Sequence, residues 1–222
     1  MKRNILLICG ILSSLLYISM NIFVPMQYDG YNSFKHTISE LSAIGAPSRA
    51  LWVPWGIVYT LLIAAFGWGI RESAAQNRKL RIAGNLLFAY GIVGIGWTFA
   101  PMHQREILAA GGGTITDTIH LFVMSPVSTL FMLVSMGFAA VAFGKWFRFY
   151  SVITILLLLL FGALTGLDAP NVQANLPTPW LGVVERIMLG VFLVWVVVLA
   201  IILLQKNKTS VAVNFKKDIT PL

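Results

Sequence analysis

Six long apolar runs organise this chain: Ile5–Val24, Leu51–Ile70, Ile82–Ala100, Ile119–Phe143, Val152–Gly166 and Ile187–Leu204. A helix needs roughly 20 predominantly apolar residues to cross a hydrocarbon core of about 30 Å. The fifth run is the shortest and can borrow residues from its flanks. Lipid offers no partner to an open backbone N–H or C=O, so only helices or a closed barrel can span it. Runs such as Leu156–Leu160 lack the alternation of a barrel strand. The expected fold class is therefore an all-α membrane protein, a six-transmembrane-helix bundle. Charged residues make up only 11% of the chain, against about 25% in soluble domains. The length fits one domain, 1–204, followed by a polar cytoplasmic tail, 205–222.

The start, Met1–Lys2–Arg3–Asn4 and then an apolar run, has the opening of a signal peptide. The run is long and no A-x-A-like site follows it, so an uncleaved first span is expected. Ile8 is too large for the position before a lipoprotein cysteine. Cys9, the single cysteine, lies inside this span, so no intramolecular disulfide is available and a buried apolar thiol is expected.

The gaps between runs differ in charge. The termini and the gaps after spans two and four hold twelve of the sixteen Lys and Arg, with only Glu72 and Asp218 as acids. The gaps after spans one, three and five hold four bases against six acids, together with all three His. Basic residues mark the cytoplasmic side of a membrane protein. Both termini are therefore expected in the cytoplasm, with the chain in the cell (inner) membrane. The expected partners are the bilayer and anionic lipid at its cytoplasmic face. The basic residues are not interleaved with readers on a folded surface, which argues against nucleic acid. Trp52, Trp55, Trp97 and Trp180 fall near the outer interface and Trp146 near the inner one, as in an aromatic belt. Trp195 is mid-span and is expected to pack between helices.

The outer gaps carry the chemistry. In the first, His36 and Glu40 share one face at i, i+4 if the segment is helical. A short re-entrant or interfacial helix is expected there, ending at Gly45 with Pro47 blocking its continuation. Thr37-x-x-Glu40 is also a capping box, which gives Glu40 a structural alternative. In the second gap, Asp117 and His120 are i, i+3 at the mouth of span four. Asp117 has a capping alternative, His120 a single bond to a neighbouring helix, and His103 reads as an exposed loop residue. The glycines 111–113 make a flexible turn and match no nucleotide motif. In the third gap, Thr178 as N-cap and Pro179 after it signal the start of a helix that carries Glu185 and Arg186 inward. Glu185 and Arg186 point about 100° apart, so each is expected to meet a partner elsewhere. Gly162-x-x-x-Gly166 and Gly91, Gly94 and Gly96 permit close helix approach. Pro126 should kink span four.

The stretch HTISELSAIGAP (His36–Pro47), the Pro and polar turn closing span three, Asp117-x-x-His120 and Glu185–Arg186–Ile187 together resemble the bacterial and archaeal membrane family catalogued as domain of unknown function 998. The resemblance covers span one to span six. It implies a six-helix membrane protein and supplies no established activity.

His36, Glu40, Asp117, His120, Glu185 and Arg186 thus form the candidate polar cluster. Ionisable groups within spans are functional candidates by default, as in proton relays, so a small transporter, carrier or sensor is the first expectation. The lack of an inverted repeat argues against ordinary secondary transport. An alternative is a metal-dependent hydrolase acting on lipid, with His36, Asp117 and His120 as ligands and Ser39 or Ser33 stabilising charge. It distantly resembles the seven-helix ceramidase-like hydrolases, but has six spans and no His-x-x-x-His pair. Haem ligation by His36 and His120 ranks below these. A structural membrane subunit with a satisfied polar network is the remaining class. No cofactor is required by the sequence.

Overall fold

A computed structural model describes the backbone of residues 2–219 and the side chains of residues 2–207. Among the described residues, six helices are long and apolar enough to cross a membrane: Lys2–Gln27, Arg49–Ser73, Arg78–Thr98, Ile115–Ala142, Lys145–Gln173 and Leu181–Asn207. The protein is a multi-pass membrane protein. The fifth span does take residues from both flanks, since its helix begins at Lys145. The sixth helix runs Leu181–Ile219, so the polar segment from 205 onward continues it.

The spans pack side by side in chain order, and span one closes the ring against span six. Apolar attraction is weak between helices already in lipid, so association relies on close packing and hydrogen bonds. Spans two and three meet backbone to backbone. A Cβ on Gly91 would sit 2.5 Å from the Ala64 amide nitrogen, and one on Gly84 would sit 2.7 Å from that of Arg71. By contrast, in span five a Cβ on Gly162 would meet Met188 Sδ of span six at 3.3 Å and one on Gly166 would meet nothing within 4 Å, so only Gly162 lies at a close approach and no backbone seam forms. The centre of the bundle is filled by Ile63, Phe66, Leu87, Phe192, Trp195 and Leu199. Trp195 packs between helices as expected and donates its indole N–H to Ser151 Oγ at 3.0 Å.

Three loops cover the bundle end opposite Lys2. The first contains a short 3-10 helix, Ile38–Ser42, in place of a longer helix reaching Gly45. The cause is visible at Ile44. Its amide bonds to the Met102 carbonyl of the second loop at 2.8 Å, whereas an α-turn would have sent it back to Glu40. Gly45 then turns in the left-handed region at φ +85°, where a side chain is disfavoured. Ile38 and Leu41 are buried, so this helix is a plug seated in the end of the bundle.

Span four opens with Ile115–Ile119, passes through one π-helical turn, His120–Met124, and resumes as an α-helix at Ser125. The expected break at Pro126 takes this form. Proline has no N–H, and its ring would collide with the carbonyl four residues earlier in a regular α-helix. The wider turn, closed by Ser125 N–H to His120 O, relieves that conflict. π-turns of this kind often occur at functional sites.

Candidate functional site

The candidate residues separate into a paired scaffold and an open wall. The scaffold begins with the Thr37–Glu40 capping box, which is fully formed. The Thr37 amide donates to Glu40 Oε2 at 2.5 Å, and the Glu40 amide donates back to Thr37 Oγ1 at 3.3 Å. Glu40 also holds Arg105. Arg105 Nε lies 2.5 Å from Oε1 and Nη2 lies 2.9 Å from Oε2. The remaining Arg105 donors reach Thr178 Oγ1 at 2.8 Å and the Lys35 carbonyl at 3.1 Å. One buried guanidinium therefore ties all three loops together.

That contact also shifts the start of span six. Thr178 was expected to cap it, but its hydroxyl donates to the Lys35 carbonyl and accepts from Arg105, and the helix begins at Leu181. Nothing near Arg105 in the sequence signals this role, because its carboxylate partner lies 65 positions away.

Arg186 is a second clamp. It donates to the carbonyls of Ser33, His36 and Gly182 and to the Tyr31 hydroxyl. The Tyr31 hydroxyl in turn donates to the Thr37 carbonyl at 2.8 Å. Burial pushes the Tyr31 phenol above its ordinary range, despite the opposing influence of Arg186. Gly182 is required at this crossing: a Cβ there would press on the carbonyl oxygens of His36 and Ser33.

The histidines take three separate positions. His36 Nδ1 accepts the Asn32 amide at 2.9 Å, and burial lowers the ring below the usual histidine pKa. His103, expected to be exposed, is mostly buried and bonds to Asp117 Oδ2 at 2.8 Å. Asp117 also accepts the amides of His103 and Thr114, and so completes a capping box at the mouth of span four. His120 turns inward on the π-turn. Its Nδ1 lies 2.7 Å from the Ala100 carbonyl and its Nε2 lies 3.0 Å from Ser39 Oγ. A carbonyl only accepts, so Nδ1 carries the proton. In the neutral ring Nε2 is then the acceptor for the Ser39 hydroxyl. Trp97 packs edge-on against the imidazole at 4.6 Å between ring centres. His36, Asp117 and His120 therefore engage different partners. Among the described residues no group of three or more His, Cys, Asp or Glu side chains is placed to hold a metal ion.

Ser39, His120 and Glu185 line the wall shared by two cavities. The first, about 180 Å³, is faced by Tyr59, Thr60, Tyr90, Trp97 and Ser128. The second, about 590 Å³, runs between spans four and five along Leu130, Leu133, Leu158, Leu159 and Gly162. Its size falls within the range of about 300–1,000 Å³ typical of small-molecule pockets. Glu185 Oε2 accepts the Ile38 amide at 2.6 Å, next to Ser39, and so fixes the plug against span six. Trp52 and Trp97, expected in an interfacial belt, line the first cavity, while Trp55, Trp146 and Trp180 are exposed. Ser39 was named in sequence only as a possible charge stabiliser. Its pairing with His120 across 81 positions has no local signature.

Neither the curated proteins nor the solved structures contain a match to this chain. The family model described as "Protein of unknown function (DUF998)" matches residues 11–202, which covers spans two to five whole and all but the first turns of span one and the last residues of span six, and the chain belongs to that family.

Proposed function

We propose that this protein binds a lipid-like amphiphile and acts as a carrier, transporter or sensor for it. The observation that supports this is the junction of the two cavities. An apolar chain fits the groove between spans four and five, and a polar head fits against Ser39, His120 and Glu185. The combination of a mostly apolar pocket with a few convergent polar groups is the usual form of a small-molecule site.

The charge sorting supports an orientation with this end outside the cytoplasm, since Lys2, Arg71, Arg78 and Lys145 lie at the opposite end. Reporter enzymes fused after Gln205 and within residues 110–113 test that orientation. A cytoplasmic reporter active at 205 and silent at 111 is expected, and the reverse pattern overturns it.

The binding role is tested on purified protein passed through vesicles of phosphatidylglycerol and phosphatidylethanolamine. Native mass spectrometry should show retained lipid on the wild type and its loss in Ala163→Trp, which fills the groove. Equal retention by both proteins, at matched melting temperature, would overturn the proposal.

A further inference from the structure

We propose that Ser39 and His120 form a nucleophile–base pair that cleaves acyl esters in the two-cavity site. This inference rests on the amphiphile-binding role above and names its substrate class: an ester of a long-chain acid whose carbonyl lies at the cavity junction. Three observations carry it. Ser39 Oγ is 3.0 Å from His120 Nε2, within the reach required of a nucleophile and its base. The Ala100 carbonyl, at 2.7 Å from Nδ1, sets the tautomer that leaves Nε2 free to take a proton, the orienting role of the third member of a serine triad. Both side chains line both cavities, so the pair is open to a bound molecule.

The chemistry needs only water as co-reactant. Ser39 Oγ attacks the ester carbonyl while its proton passes to His120 Nε2. The tetrahedral species collapses, the bond from the carbonyl carbon to the alkoxy oxygen breaks, and His120 returns the proton to the leaving alcohol. Water then attacks the acyl-Ser39 ester, giving its proton to His120. The acid departs, and Ser39 Oγ recovers that proton. Ser125 lines both cavities and places a further hydroxyl on the same wall. Glu185 acts as a positioning residue, because its contact is with the Ile38 amide that precedes the nucleophile.

The test uses the full chain in detergent, a long-chain fluorophosphonate and p-nitrophenyl laurate. Mass spectrometry should locate one adduct on Ser39. Ser39→Ala and His120→Gln should each lower ester cleavage about 100-fold or more, the range for losing a nucleophile or general base. Ser73→Ala, whose hydroxyl bonds to the Gly69 carbonyl at the far end of span two, should react as the wild type does. Lipid retention by Ser39→Ala should match the wild type, which separates binding from chemistry. A wild type that retains lipid but forms no Ser39 adduct overturns the dyad and leaves the binding role standing. Wild-type cleavage rates in a folded Ser39→Ala overturn it equally. Ser39-dependent cleavage without lipid retention overturns the carrier role alone.

Discussion

Arg105 closes on both carboxylate oxygens of Glu40, at 2.5 and 2.9 Å, with both side chains nearly inaccessible to solvent. The pair joins the plug to the second loop, and Thr178 joins the third loop to the same guanidinium. Removing one member of a buried pair leaves the other charge without compensation, which costs about 3–5 kcal/mol. Arg105→Met should destabilise the protein by that amount in reversible unfolding from mixed micelles. Glu40→Leu combined with Arg105→Met should cost less than the sum of the single changes. A loss under about 1 kcal/mol for Arg105→Met would contradict the buried pairing.

The crossing of span six beneath the first loop depends on the missing side chain at residue 182. Gly182→Ala drives a methyl group into the carbonyls that Arg186 holds. Overpacking of this kind costs about 1–3 kcal/mol. Thermal unfolding should show the loss. Gly190→Ala, at a site with open space, should leave the melting temperature unchanged or higher.

His36 predicts a specific acid sensitivity. Burial lowers its pKa, and its Nδ1 must stay unprotonated to accept the Asn32 amide. Glu40 and Glu106 oppose the shift, and Arg105 and Lys35 reinforce it. A histidine held neutral in the folded state binds fewer protons there than when unfolded. Its stabilising contribution is therefore complete above the ordinary pKa of about 6.5 and is lost as pH falls through the lowered value. Melting curves from pH 8 to pH 4.5 should show a smaller acid-side fall in His36→Asn than in the wild type. Superimposable pH profiles would refute the assignment.

The π-turn makes a further prediction. Deleting Val123 together with Pro126→Ala, which removes the proline conflict, would let span four run as a continuous α-helix and rotate His120 by about 100° relative to the membrane-embedded part. Helix content by circular dichroism should be nearly unchanged, while reaction of Ser39 with fluorophosphonate should be lost. Retained labelling would mean that the turn does not aim His120.

Six spans were legible because lipid imposes one coarse rule, long apolar helices, that composition alone reveals. The cap at Thr37–Glu40 was legible too, since its partners lie three residues apart, whereas Asp117, read as a cap or first-turn charge, closes a box whose capping residue is Thr114. The contacts that assemble the site are of another kind. Arg105 with Glu40, Arg186 with Tyr31, and Ser39 with His120 link residues 65 to 155 positions apart. Periodicity carries no record of such pairs. His103 looked exposed because it sits in a loop, and only folding shows that Asp117 covers it.

The glycine seam between spans two and three divides the bundle mechanically. Where the two backbones touch at Gly67, Gly84 and Gly91 there is no side chain to repack, which stiffens this pair of helices. Spans four and five meet across a groove beside Gly166, where a Cβ would meet nothing within 4 Å. The open space between helices therefore lies on that side, and a molecule arriving from the surrounding lipid would meet it there and close-packed backbone on the other.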